Sequence, residues 1–571
     1  MSASPNLVCD LVLKGGITSG ILYPPAIDEI RQRFTLSGIG GTSAGAIAAG
    51  MAAAAELRRR RGSDEGYRLL AEIPGLIGGE GKLLELFRPD AKTTGLFATF
   101  LRAIEKKEDR GLFGKARLYF DFARLLLSDA ALAPLSENEH GLCTGMANGV
   151  SLPPGSMPAL TRWLSERMDT IAGMPEGRPL TFGDLWSAPV PDHLKSTMTG
   201  HQSIQLQLVS TCLSFGRPYV LPNLDNRFAF SPQELLSYFP GYVVDYLIAE
   251  GNKIRKPPEM PAHLLPLPTR DKLPVILGVR MSLSFPVLFS LVPLYHPDYR
   301  ADPMRYERVY FADGGITSNL PIHFFDSPFP RWPTLAINLQ YSKEAGKPDR
   351  LNVDEAGVWM TRSASDGTLE LFNRFLGAKS PLGQLFGVGG AVFRSAQTWT
   401  DNSYLTLPGF RDRIAEVWLD PHEGGMNLTM PPAVIAGLAA KGRAAGKRLV
   451  SRFADVQPKG VPDWDGHRWT RFRASMAAVA RYSRAWRESV AHPMPGDASL
   501  VDLFAKATDL PYALGGVQLR EVIAATEAFE RFAYSLDAAS PPGADAKDPG
   551  ARPFHDGPRP PLTLQGRGSV I

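Results

Sequence analysis

Phe34-Thr35-Leu36-Ser37-Gly38-Ile39-Gly40-Gly41-Thr42-Ser43-Ala44-Gly45 decides the fold. Phe34–Ile39 is a short apolar run that reads as a strand. It meets Gly40-Gly41-Thr42-Ser43, and a small-residue helix is predicted from Ala44 to about Arg60. Upstream, Leu7–Leu13 reads as a buried strand running into Lys14-Gly15-Gly16, and Ile21–Arg33 has helical spacing. Strand, helix, strand, helix at this spacing is a parallel α/β unit. Gly41-Thr42-Ser43-Ala44-Gly45 is G-x-S-x-G between a predicted strand and a predicted helix, the context of a nucleophile elbow. The sharp turn lifts the serine hydroxyl clear of the sheet. The N–H groups that open the next helix point where an oxyanion would form. Read without context, the same five residues are a Gly-rich turn before a helix.

Further along, Ile204–Thr211 and Tyr219–Leu221 read as strands around Gly216-Arg217, in the manner of a hairpin. Val275–Val279 and Arg308–Phe311 are further strand candidates, and Thr334–Leu339 is the last strong one. Residues 63–175 are helical in pattern and are the candidate cap over Ser43. Residues 223–272 read as a Pro-rich insertion. Beyond about 345 the pattern turns helical, most clearly at Pro432–Arg452 and Arg468–Val490. From about 538 to 571 the chain is rich in Pro, Gly and Asp and is expected to be a disordered tail. The expected division is therefore 1–345, an α/β domain; 346–537, mostly helical; and the tail.

The chain has 571 residues, with 55 glycines and 49 prolines, so many turns are expected. Lys plus Arg number 62 against 58 Asp plus Glu, a balance that argues against a dedicated nucleic-acid binder. Cys9, Cys143 and Cys212 are too few for a disulfide framework and fit a reducing compartment. The N-terminal stretch has neither the basic nor the apolar region of a secretion signal, and no apolar run reaches the length of a membrane span. A cytoplasmic location with peripheral membrane contact is expected.

A serine nucleophile needs a base. Asp313, in Phe311-Ala312-Asp313-Gly314-Gly315, follows a strand and precedes two glycines, as a loop-borne carboxylate does; its plainer reading is a cap of the Gly314-Gly315 turn. Lys14-Gly15-Gly16-Ile17-Thr18-Ser19-Gly20 is a second Gly-rich turn, placed by a parallel sheet at the same edge as Ser43.

These residues resemble the patatin-like phospholipase family. The resemblance implies a three-layer α/β fold, mainly parallel, and a Ser-Asp dyad of Ser43 and Asp313 without histidine. It implies an oxyanion loop at Gly15, Gly16 and Ile17 with Ala44, an elbow flanked by Gly41 and Gly45, and a D-G-G loop at Gly314 and Gly315. Leu180-Thr181-Phe182-Gly183-Asp184-Leu185 resembles the family's T-F-x-D-L stretch, and Val279-Arg280-Met281-Ser282-Leu283-Ser284-Phe285-Pro286 its V-R-A-S-x-S-x-P stretch. The resemblance covers about residues 7–340 in the family's order. It implies hydrolysis of fatty-acyl esters of phospholipids or lysophospholipids, with no cofactor or metal and a lipid or membrane-surface substrate. One departure stands out: where the family's loop reads G-G-G-x-R-G, this chain has Ile17 for the third glycine and Ser19 for the arginine.

Other readings stay open. A Ser-His-Asp triad would draw on His323 or His140. Asp420-Pro421-His422-Glu423 holds potential metal ligands without a partner at HExxH spacing. Gly38–Ser43 lacks the Gly-Lys-Ser/Thr of a P-loop, which counts against nucleotide binding. Arg58–Arg61 is either a solvated helix end or a contact for anionic headgroups. Gly95–Ile104 and Leu369–Leu376 are apolar helical stretches that face a core or a membrane. A catalytically silent lipid-binding or regulatory protein would keep the same fold. The residues after 345 are expected to bind a protein partner, gate the cleft or drive self-association.

Overall fold

The computed structural model describes residues 7–16, 18–105, 129–196, 202–341, 357–363, scattered positions between 384 and 405, 407–420, 422–425 and 427–538. Ile17, Leu369–Leu376 and the 539–571 tail lie outside the described residues.

Eleven strands of the described residues form one mixed sheet. In chain order they are β1 (Leu7–Leu13), β2 (Phe34–Gly41), β3 (Gln205–Cys212), β4 (Arg217–Leu221), β5 (Ala229–Phe230), β6 (Leu265–Pro266), β7 (Val292–Asp298), β8 (Arg305–Asp313), β9 (Thr334–Tyr341), β10 (Val358–Trp359) and β11 (Ile414–Leu419). Across the sheet the order is β10-β11-β9-β1-β2-β3-β8-β7-β5-β6, with β4 paired to β3. The five central strands from β11 to β3 run parallel. Every outer pairing, from β3–β8 outward and at β10–β11, is antiparallel. β1 and β2 are buried along almost their whole length, the pattern of strands covered on both faces.

Helices α1 (Tyr23–Arg31) and α2 (Ala44–Arg60) follow β1 and β2 as expected. Helix α2 is built almost wholly of alanine and glycine on its buried turns, so it lies close to its neighbours. At its C-terminus Arg61 is exposed, as a solvated helix end would be, but Arg59 and Arg60 turn inward. Arg59 and Arg60 grip the fully buried Glu56, which also accepts from the Tyr67 hydroxyl at 2.7 Å. The same guanidinium groups cap backbone carbonyls of Arg31, Phe34 and Leu36. This is an internal ion-pair network joining helix end to strand start, not a headgroup contact.

Two other expectations change. Val275–Val279 belongs not to a strand but to helix α4 (Val275–Ser282), which opens after Pro274 and is buried at every residue. A short apolar run enclosed on all sides has no periodicity to separate helix from strand. The Pro-rich 223–272 stretch contributes β5, β6 and a helix, Gly241–Gly251, rather than irregular chain alone.

The sheet also runs past residue 345, since β11 pairs with β9 in register from Ala336↔Ile414 to Tyr341↔Leu419. Helix α3 (Leu160–Ala172) packs against α2, and helix α5 (Pro432–Ala454) packs against α1. The α1–α5 approach is close: a Cβ on Gly442 would lie 1.9 Å from the Leu22 carbonyl oxygen. Helix α6 (Trp464–Ala491) follows α5. The Gly95–Ile104 stretch lies in helix Thr94–Glu105, whose Phe97 and Phe100 are buried in the core.

Gly442→Ala is expected to lower stability by about 1–3 kcal/mol through overpacking. Gly437→Ala, on the same helix with no atom nearer than 3.9 Å to its new Cβ, should be neutral or slightly stabilising. Urea unfolding of the two variants side by side checks this.

Candidate active site

Ser43 stands between β2 and α2 with φ 56° and ψ −128°, a conformation that L-residues seldom adopt. The chain takes it because its neighbours leave no alternative. A Cβ on Gly41 would lie 2.2 Å from the Gly45 carbonyl oxygen, and one on Gly45 would lie 2.2 Å from that of Leu13. Only glycine fits at either position, so the motif's spacing is a packing requirement. The Ser43 N–H donates to the Ser282 hydroxyl at 3.0 Å, which ties the turn to the end of α4.

Asp313 is the last residue of β8 and arrives from the opposite direction. β3 aligns the two: Leu208 pairs with Gly41 on one side, and Ser210 pairs with Asp313 on the other. Asp313 is buried, and its Oδ1 accepts from the Gly315 N–H at 2.7 Å. It therefore does cap the Gly314-Gly315 turn. Its Oδ2, also buried, makes no hydrogen bond of ordinary geometry. Burial pushes the Asp313 carboxyl up from 3.8 to about 6, while Ser43, as a hydrogen-bonding neighbour, and Gly315 pull it partly back.

The loop after β1 sits against this pair; a Cβ on Gly15 would lie 2.9 Å from that of Ser43. The Gly15 N–H, expected among the free donors, instead donates to the Asn319 carbonyl at 3.1 Å. This corrects the expectation for Gly15. The Ala44 N–H opens a helix and has no partner within it. Gly16 precedes the one position of the loop outside the described residues and is partly exposed.

The stretches at 180–185 and 279–286 hold the scaffold. Arg280, fully buried, donates to the Thr144 and Ser290 carbonyls at 3.1 and 2.9 Å and to the Ser284 hydroxyl at 2.6 Å. Its guanidinium lies 5.3 Å from the centre of the Phe289 ring, and burial lowers its pKa to about 10. Thr181 and Asp184 form a capping box at the start of helix Phe182–Trp186, beside the start of α4.

An apolar cavity of about 80 Å³ is lined in part by Ala44, the residue after Ser43. Ile47, Ala48 and Met51 of α2 form one wall. Leu83, Leu86 and Trp163, from the 63–175 stretch, form another.

The other candidates have partners of their own. His323 stacks on Tyr404 at 5.1 Å between ring centres, and the His140 carbonyl accepts from the Val287 N–H. Glu423 and Asp420 are ion-paired with Lys441. Ser282, Asn319 and Asp401, whose carboxylate accepts from the Asn319 and Leu320 N–H groups at 2.9 Å, were not singled out from sequence. Ser282 lies within a quoted motif; Asn319 and Asp401 carry no local signal.

A family model described as patatin-like phospholipase matches residues 11–326, from β1 to just beyond Asp313. The chain belongs to the patatin-like phospholipase family. Members of this family are lipid acyl hydrolases; the match covers the mixed α/β sheet as far as β8, and the helical C-terminal region lies beyond it. A curated relative from Rhizobium meliloti (strain 1021), called RpoH suppressor, is 30% identical over 614 residues, covering 90% of this chain and 93% of its own. A solved structure, the heterodimeric ExoU–SpcU complex from the type III secretion system of Pseudomonas aeruginosa, is 14% identical with a TM-score of 0.21. It covers 94% of this chain and 76% of the other. No described helix is long and apolar enough to cross a membrane.

The raised Asp313 pKa has a defined sign. A carboxyl whose folded pKa lies above its unfolded value favours the fold most below pH 4, and that contribution is lost as pH rises through about 6. Asp313→Asn removes the buried charge. It should be more stable than wild type at pH 8 by on the order of 1–3 kcal/mol, with the gap closing by pH 4. Urea unfolding of both proteins at the two pH values measures it.

Proposed function

We propose that the chain is a serine acyl hydrolase that cleaves fatty-acyl esters of phospholipids or lysophospholipids through Ser43 and Asp313. One observation carries the reading: a buried carboxyl with an unengaged oxygen beside a serine on a strained elbow, whose next residue, Ala44, lines an apolar cavity. The pKa of about 6 gives a carboxylate at neutral pH that is more basic than an exposed aspartate. A hydrogen bond that is loose before substrate arrives is common in such pairs.

In this mechanism Asp313 Oδ2 takes the Ser43 proton as Oγ attacks the ester carbonyl carbon. The negative charge gathers on the carbonyl oxygen, facing the N–H groups of Ala44 and Gly16. The intermediate collapses, the C–O bond to the alcohol breaks, and the alcohol leaves with the proton from Asp313. Water then attacks the acyl-serine, giving its proton to Asp313, and the fatty acid departs as Ser43 recovers its hydrogen. The cavity walls of Ile47, Met51, Leu83 and Trp163 suit the hydrocarbon tail. The relative's name states suppression of RpoH and no chemistry, so a silent lipid-binding or regulatory protein is the reading to test against.

Fatty-acid release from mixed phospholipid and lysophospholipid vesicles decides between them. Wild type should release fatty acid, and Ser43→Ala and Asp313→Asn should each lose about 10³-fold or more in kcat. The rate should rise with pH through about 6, as Asp313 gives up its proton. Release that survives Ser43→Ala overturns the nucleophile, and no release from wild type favours the silent reading. Ala48→Leu, which narrows the cavity, should shift preference toward shorter acyl chains.

A further inference from the structure

The loop between β1 and α1 is enclosed by residues distant in sequence. The Thr18 N–H and the Thr18 hydroxyl both donate to the Gly425 carbonyl, at 3.3 and 3.2 Å. Gly424 lies so near that a Cβ there would be 2.7 Å from the Ser19 Cβ. Gly424 and Gly425 both hold positive φ, 76° and 65°. Their turn is fixed from behind by Glu423, a buried residue whose carboxylate accepts from the Asp420 N–H at 2.9 Å and pairs with the Lys441 ammonium. Lys441 also donates to the Trp418 carbonyl at 2.9 Å, at the end of β11. Its neighbour Gly442 is the residue that rests on the Leu22 carbonyl. One helix, α5, thus bears on the segment after the loop directly and on Thr18 and Ser19 through the turn. At the loop's other end, Asp401 holds the Asn319 N–H while the Asn319 carbonyl holds the Gly15 N–H.

We infer that the Gly424-Gly425 turn, locked by the Glu423–Lys441 pair, is a clamp that sets the backbone of Thr18 and Ser19 and so positions the oxyanion donor of Gly16. This rests on the acyl hydrolase reading and extends it to residues outside the matched 11–326 span. An oxyanion hole works because its donors are aimed in advance. Here the loop has Ile17 and Ser19 where the family's loop has glycine and arginine, so its shape needs an external hold. The clamp supplies one: two hydrogen bonds on Thr18 and a steric stop at Ser19. Thr18 also lines the apolar cavity together with Ala44, so the clamp fixes donor and cavity wall together. Glu423, Gly424, Gly425 and Lys441 are positioning residues and touch no reacting atom.

Two neighbouring glycines provide the test. Alanine at either is strained by positive φ, but a Cβ on Gly424 strikes Ser19, whereas one on Gly425 has no atom within 4 Å. The full chain is compared as wild type, Gly424→Ala, Gly425→Ala and the double variant Gly424→Ala/Ser19→Gly. The measurements are kcat and KM on lysophospholipid micelles, thermal midpoint, and hydrogen exchange of the peptide containing Thr18. Gly424→Ala should lose kcat about 10–100-fold relative to Gly425→Ala, the scale of a small misplacement at a reacting centre, with similar KM and thermal midpoint. Exchange at Thr18 should quicken in Gly424→Ala alone, and Ser19→Gly should restore both kcat and exchange by removing the clash. Equal kcat in the two single variants, or no rescue by Ser19→Gly, overturns the clamp. If wild type releases no fatty acid, the hydrolase reading fails separately, and exchange decides: quickening reversed by Ser19→Gly supports the clamp, and equal exchange overturns it.

Discussion

Ser43 holds a backbone conformation that costs on the order of 1–3 kcal/mol, and its surroundings must supply that energy. They do so through contacts in which glycine is the largest residue that fits. Gly45 lies against the Leu13 carbonyl, so β1 presses on the first turn of α2, and Gly41 lies against Gly45. The turn is therefore wedged between its own strand, the neighbouring strand and the helix it begins. Ser282 closes the remaining side by accepting the Ser43 N–H. Loosening any of these surfaces would let the serine relax toward an ordinary conformation and carry its hydroxyl away from the carboxylate.

The mixed sheet meets a second demand, bringing a carboxylate to that hydroxyl. A wholly parallel sheet delivers every strand's C-terminal end to one edge. Here β8 runs against β3 and delivers its last residue level with the end of β2, so serine and aspartate arrive from opposite directions one strand apart. The carboxylate is buried with one oxygen engaged and one not. That arrangement costs stability and raises basicity through the same cause, the loss of water around the charge. Arg280 anchors the scaffold nearby, joining α4 to Thr144 and Ser290.

What the sequence disclosed follows the reach of each interaction. β1, β2 and α2 could be read because their hydrophobic runs, turn and helix are local. Ser43 and Asp313 could be read because each sits in a short motif with glycines that packing demands. Val275–Val279 misled because complete burial erases the pattern that distinguishes a helix. Arg59 and Arg60 misled because their partner Glu56 lies one helical turn back and fully inside, and burial is not written in charge order. The occupied Gly15 N–H and the contacts of Gly425 depend on pairings more than three hundred residues apart, and those of Asp401 on pairings of about eighty, which no window along the chain contains. β11 was hidden for the same reason, since its place beside β9 is settled by register rather than composition.

The strand order has a consequence for synthesis. β1 leaves the ribosome early, yet of its two neighbours only β2 emerges with it; the other, β9, comes some three hundred residues later, and β11 beyond that again. Contacts of such long separation form slowly, because a long loop must close before they repay its entropy. Throughout translation up to Asp313 the serine has no carboxylate beside it, and the Gly15–Ser19 loop has no second wall. The nascent chain thus has no complete Ser43–Asp313 pair until its C-terminal half has folded back, and a product cut short before β11 would expose the unpaired edge of β9, the kind of surface on which chains aggregate.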